Sequence, residues 1–236
     1  LLVLLLVSGV LYLGWDRFRA FEAEHPEYFP WTPLSLGDPV GAFTDDKLAA
    51  LADDAPHCRS LLAKARTGDR PAPPRRLSEP ACGYEDGIEI GSAEGTRLAY
   101  GRLVTSCPVA AALALWERET LQPAAQKHFG ERVVAIDHFG SFSCRRLYGR
   151  DEGPFSEHAT ADAVDIAGFR MESGATIPIV RDWPGDGREA RFLREVRDGA
   201  CDLFRTVLSP DYNEAHADHF HFDMAAGRPA GWSMCR

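Results

Sequence analysis

The chain has 236 residues, 45% of them apolar and 10% aromatic, with a formal net charge of −9 and a pI near 5.4. One globular domain with a tail, or two small domains, fits that length. An acidic chain with no long basic stripe and no Gly-rich phosphate loop argues against nucleic-acid binding and nucleotide enzymes, and the lack of HExxH excludes thermolysin-type zinc proteases.

Residues 1–15 form an apolar run that ends at Trp15, ahead of Asp16 and Arg17, with Tyr12 and Trp15 where interfacial aromatics belong. The run is slightly short for a span, and a few upstream residues would complete one. No small-x-small cleavage site follows. The expectation is an uncleaved membrane anchor, with a cleaved signal peptide as the alternative; either puts the rest of the chain outside the cytoplasm. Residues 16–43, rich in aromatics and prolines without periodicity, read as an extended juxtamembrane strap. Residues 44–236 read as the domain proper. Its six cysteines, Cys58, Cys82, Cys107, Cys144, Cys201 and Cys235, are even in number and form no CxxC pair. In an exported chain that pattern reads as disulfides, with all fifteen pairings open.

Within the domain, Thr44 is placed to cap a helix from Asp45 to about Asp53. Residues 64–80 read as an exposed, basic, Pro-rich loop. Ile88 to Tyr100 reads as a hairpin around Gly91 and Gly95. Ser106 or Cys107 caps an apolar helix with Pro108 in its first turn, Pro123 kinks or restarts it, and Gly130 stops it. Strands are expected over 133–139, 163–169, 176–183 and 219–224, the middle two joined by a turn at 172–174. An amphipathic helix is expected over 189–204. Strands and helices without regular alternation indicate an α+β domain with a mainly antiparallel sheet and flanking helices.

The chemistry concentrates in His216-Ala-Asp218-His219-Phe-His221-Phe-Asp223 and in Ser156-Glu-His158-Ala-Thr-Ala-Asp162-Ala-Val-Asp165. Strand alternation puts His219 and His221 on one face and Phe220 and Phe222 on the other. Small residues 159–161 let the loop carrying His158 fold back over Asp165. His158, Asp165 and His221 then form a set suited to one Zn2+, because imidazole and carboxylate favour zinc where calcium or magnesium want mostly oxygen. His25, His57, His128 and His138 read as structural or simply exposed.

These motifs resemble the zinc peptidases of the lysostaphin, D-Ala-D-Ala carboxypeptidase and hedgehog group, whose pattern S-x-H-x-x-G-x-A-x-D is met here by Ser156, His158, Ala163 and Asp165, with Ala161 in place of glycine. His216-x-x-His219-x-His221 is similar to the end of the penicillin-insensitive murein endopeptidases. The chain from about Trp31 to Asp223 resembles the bacterial extensin-like C-terminal family more closely still. It does so through Pro30-Trp-Thr-Pro-Leu, Gly140-Ser-Phe-Ser-Cys-Arg145, Ser156-Glu-His158, Phe192-Leu-Arg194 and Val207-Leu-Ser-Pro-Asp-Tyr-Asn213. The resemblance implies a hedgehog/D-Ala-D-Ala-peptidase-like scaffold with His158, Asp165 and His221 as ligands. It implies His219 as base or transition-state stabiliser, with Asp218 competing for that role. His216, Ser156 and Asp223 would support from behind, and Arg145 or Arg146 would hold a substrate carboxylate. It implies a peptidoglycan peptidase, endo- or carboxypeptidase, which with the apolar N-terminal run gives a periplasmic enzyme tethered to the inner membrane. The alternative is a non-catalytic, zinc-containing wall-binding or scaffold protein.

Overall fold

The computed structural model describes residues 1–91, 98–225, 229 and 231–236. Helix α1 (Leu2–Glu24) buries none of its residues. It runs on through 16–24, where an extended strap is expected, because that stretch contains neither Pro nor Gly and an Arg19–Glu22 pair at 3.0 Å spans one turn. Pro26 ends it. The apolar part of α1 stops at Asp16, and no helix among the described residues is long and apolar enough to cross a membrane.

The rest of the strap docks on the domain, with Lys47 Nζ donating to the Pro26 carbonyl at 3.0 Å. Helix α2 (Thr44–Ala49) is followed by a 3₁₀ turn over Ala50–Asp53. Thr44 is its first residue and not its cap: the hydroxyl accepts from the Gly41 amide at 2.9 Å. Helix α3 spans Ala55–Lys64. The expected 64–80 loop holds short strands β1 (Arg70–Pro71) and β2 (Arg75–Arg76). β2 pairs with β3 (Gly83–Tyr84). β4 (Ile88–Glu89) pairs with β1 before it and with β5 (Val104–Thr105) after it, so both of these partners lie outside the hairpin expected at 88–100. The turn of that hairpin falls outside the described residues.

Helix α4 (Cys107–Trp116) starts at Ser106, whose Oγ accepts from the Val109 amide. A π turn (Glu117–Leu121) joins it to α5 (Gln122–Phe129), which ends at Gly130 in the left-handed region, φ 72°. The π turn lies just before Pro123, which supplies no amide to the helix ladder. β6 (Val133–Gly140) and β7 (Ala163–Met171) form the centre of the main sheet. β8 (Thr176–Pro178) stops five residues earlier than expected, at Pro178, and the chain turns into α6 (Ile179–Asp182). Helix α7 (Arg188–Ala200), β9 (Thr206–Leu208), β10 (Phe220–Asp223) and β11 (Met234–Cys235) complete the domain.

The main sheet runs β11-β9-β10-β7-β6, with β8 also on β7. All its pairs are antiparallel except β11 with β9. One face packs on α4 and α7. There Trp116, Phe169, Phe192, Phe204, Phe220 and Phe222 are fully buried, and Phe222 meets Trp116 edge-on at 5.5 Å. Burying such rings contributes on the order of 2–3 kcal/mol each. All six cysteines are paired, as Cys58–Cys107, Cys82–Cys144 and Cys201–Cys235.

Candidate metal centre

The opposite face of the sheet carries the polar residues. On β10, Phe220 and Phe222 point into the core, so His221 and Asp223 point away from it. Register puts His221 directly opposite Asp165 of β7. His158 comes from a 3₁₀ turn, Glu157–Thr160, capped by Ser156 Oγ on the His158 amide at 3.4 Å. That turn closes at Ala161 in the left-handed region, φ 59°, so the alanine adopts the conformation a glycine would take there at lower cost. The backbone of His158 is fixed further by the Ser143 amide, which donates to its carbonyl at 2.9 Å.

Three ligand-type atoms meet here. His158 Nε2 lies 3.1 Å from Asp165 Oδ1 and 3.1 Å from His221 Nδ1, and His221 Nδ1 lies 3.0 Å from Asp165 Oδ1. Tetrahedral ligands at the usual ~2.0–2.1 Å from zinc stand about 3.3 Å apart, which this triangle closely matches. Protonation strengthens the fit. His158 Nδ1 lies 2.7 Å from the Ser141 carbonyl, which can only accept, and His221 Nε2 lies 2.8 Å from the Asp223 carboxylate. Each ring therefore spends its N–H outward and turns a lone pair inward, toward a carboxylate oxygen. Three acceptors converging in a buried place require a proton or a cation between them. Without a metal, the proton goes to His221. Burial opposes its charge, but hydrogen bonds to Asp165 and Asp223 prevail and push it up to about 9. Asp165 is likewise opposed by burial, yet the two histidines hold it well below the usual carboxylate range.

His219 stands beside this trio, its Nε2 3.5 Å from Asp165 Oδ1 and its Nδ1 2.8 Å from Asp218 Oδ1. Asp218 sits on a turn before β10, half exposed, and reaches His219 but not the trio. His216 does not orient a neighbouring imidazole, contrary to the expectation. Its Nδ1 bonds to Asn213 Oδ1 at 2.7 Å, and its ring packs against those of Tyr212, His219 and His221. Burial, and then the electrostatic influence of the neighbouring imidazoles, pushes it down to about 4, so it is neutral near pH 7.

The site opens into a cavity of about 570 Å³. Of the two candidate arginines, Arg145 lines the cavity; its carbonyl accepts from the Ser156 amide at 3.0 Å, and its guanidinium makes no hydrogen bond or ion pair among the described residues. Arg146 is committed to its own loop, on the Gly153 carbonyl and 4.2 Å over the Phe155 ring. The Ser141 carbonyl and Asn213 act here without having been singled out. Asn213 carried a sequence signal, three residues before His216 on one helical turn, whereas a main-chain carbonyl carries none.

Together these features define an α+β protein with a buried His–Asp–His candidate metal centre at the base of an open cavity. The chain belongs to a known family: the profile described as Extensin-like protein C-terminus matches residues 56–236. No curated protein and no solved structure matches the chain.

Proposed function

We propose that this protein is an envelope zinc peptidase that hydrolyses peptide bonds in peptidoglycan stems or cross-links. The observation that carries the reading is the convergence of His158 Nε2, Asp165 Oδ1 and His221 Nδ1 as three inward acceptors within 3.1 Å of one another. The motif resemblance to the lysostaphin and D-Ala-D-Ala carboxypeptidase group supports the substrate class, and three disulfides support an oxidising compartment. The wholly exposed apolar start of α1 is the segment that would meet the inner membrane.

His158, Asp165 and His221 would hold the ion, and zinc there would supply Lewis acidity toward water and the scissile carbonyl. The chain's own residues do the rest. Asp223 and the Ser141 carbonyl fix the two ligand rings in one tautomer each. Asp218 holds the Nδ1 proton of His219, which leaves Nε2 free to take a proton from attacking water and return it to the leaving amine. Arg145, on the cavity wall and with no side-chain partner among the described residues, takes a free stem carboxylate as a two-pronged hydrogen-bond partner.

The test is digestion of purified muropeptides by zinc-loaded protein, followed by mass spectrometry. The expected result is new peptide fragments that disappear with a chelator. Intact muropeptides alongside stoichiometric zinc would replace this reading with a non-catalytic wall-binding protein.

A further inference from the structure

Arg145 stands at the base of a hairpin loop, residues 145–156. The two arms meet at a bridge between Arg146 and Phe155. The Leu147 amide donates to the Pro154 carbonyl at 3.0 Å, and the Arg146 guanidinium donates to the Gly153 carbonyl. Near the tip, Tyr148 lines the cavity and is 52% exposed. Among the described residues, hydrogen bonds from 147–153 to parts of the chain outside the loop run through the Tyr148 phenol alone. Asn213 Nδ2 donates to its oxygen at 3.4 Å, and the phenol of Tyr212 also meets it.

Tyr148 sits in the left-handed region, φ 58° and ψ 22°, where a bulky side chain strains the backbone and glycine does not. Among the described residues, the non-glycine positions with positive φ are Arg66, Tyr148, Ala161 and Ala225. Three of these four belong to the site: Tyr148 and Ala225 line the cavity, and Ala161 closes the turn that carries His158. Strain that gathers at one site, without a matching gain to the fold, points to function. The fold gains little from the Tyr148 side chain. Its bond to Asn213 is long and exposed, and the guanidinium of Arg150, 5.6 Å from the ring centre, comes from the same loop.

The bonding around the phenol leaves it a donor. Asn213 Oδ1 is taken by His216 Nδ1 at 2.7 Å, so the amide nitrogen is the group turned to Tyr148. That nitrogen can only donate, so the Tyr148 oxygen accepts there and its own O–H is left to turn. Tyr212 lies within reach of that proton, and a carbonyl entering between the two phenols competes for it. An uncharged donor suits a main-chain carbonyl, as the Arg145 guanidinium suits a carboxylate. We propose that Tyr148 is a substrate-binding residue, whose phenol donates to a main-chain carbonyl of the stem peptide held in this cavity. The proposal rests on the reading of this cavity as the working site.

The experiment measures kcat, KM and calorimetric Kd for the zinc-loaded full chain, on a purified muropeptide and on the free stem peptide released from it. Tyr148→Phe removes only the hydroxyl. Tyr148→Asn removes the ring and places there a side chain that tolerates the left-handed region. Tyr148→Phe should raise KM and Kd about three- to tenfold on both ligands, with kcat little changed. Tyr148→Asn should raise both further, while its Tm equals or exceeds that of the wild type. Unchanged KM and Kd in Tyr148→Phe would overturn the proposal, as would a Tyr148→Asn variant that loses Tm and keeps its KM. A rise confined to the muropeptide would move the phenol onto the sugar and overturn the peptide assignment. Wild-type protein that binds neither ligand would instead overturn the reading of the cavity as the working site.

Discussion

Asp165 and His221 face each other in directly opposed register on β7 and β10, and Asp165 Oδ1 lies 3.0 Å from His221 Nδ1. That one cross-strand pair ties the sheet's hydrogen-bond ladder to the chemistry of the site. A slip of one residue in register would turn His221 toward the core and Phe220 or Phe222 toward the cavity. The buried aromatic layer on the other face therefore protects the placement of the ligands.

The residues behind the ligands should matter to metal affinity. Asp223→Asn exchanges the carboxylate on His221 Nε2 for an amide that can present its donor instead. Zinc affinity should fall about 10–100-fold with the fold intact. An unchanged affinity, measured by chelator competition, would remove Asp223 from the site.

His219 is assigned to proton transfer and not to metal holding. His219→Ala should therefore retain zinc while cleavage falls roughly 10²–10⁴-fold. Asp218→Ala should fall less, because it acts on His219 Nδ1 only. Loss of zinc in His219→Ala would make it a ligand.

The two neighbouring arginines should separate. Arg145→Ala removes a guanidinium from the cavity wall, so KM for a carboxylate-bearing peptide should rise roughly tenfold or more, as for loss of a charge-assisted hydrogen bond, with kcat little changed. Arg146→Ala breaks contacts to Gly153 and Phe155. Its effect should appear in thermal stability and not in KM. The reverse pattern would exchange their roles.

The metal-free chain has its own pH signature. The folded state raises His221 from 6.5 to about 9, so the folded chain holds that proton more tightly than the unfolded one. The resulting stability is complete below pH 6.5 and is lost as pH rises through about 9. Asp165 is depressed, so its contribution is present above its ordinary value of 3.8 and is lost on acidification below it. Zinc replaces the His221 proton, so zinc affinity should rise with pH between 6.5 and about 9. Melts of the metal-free protein should show Tm falling across that window, with the zinc-loaded protein spared. Parallel curves for the two forms would contradict the shared position of proton and metal.

Ala161 gives a test of the turn that presents His158. Ala161→Gly relieves roughly 1 kcal/mol of left-handed strain and loses about 0.8 kcal/mol of methyl burial, so it should be near neutral. Ala161→Val adds bulk to a residue with no exposure at φ 59°. It should cost more than about 2 kcal/mol and weaken zinc binding through His158. Denaturant unfolding of both variants checks this.

Much of this was legible from periodicity and residue type. The alternation of His219 to Asp223 placed the aromatics inside and His221 outside, and the small residues 159–161 allowed the turn that returns His158 to Asp165. Gly130 and Ser106 marked the ends of their helices by well-defined local chemistry. What escaped were features set by tertiary contact. The helical stretch 16–24 lacked an apolar stripe to announce it. Pro178 ended a strand whose sequence reads on to Trp183. His216 was expected to orient an imidazole, yet its nitrogen found Asn213, and the carbonyl of Ser141 has no signature in sequence. Disulfide pairing likewise depended on a fold that brings Cys82 to Cys144 across 62 residues of chain.

The most direct measurement is the zinc content of the purified full chain and of its Asp165→Ala variant, by elemental mass spectrometry after dialysis. The account predicts one zinc per wild-type chain and none in the variant, with both folded. Wild-type protein that stays metal-free in the presence of zinc, or a variant that binds zinc as well as wild type, would contradict it.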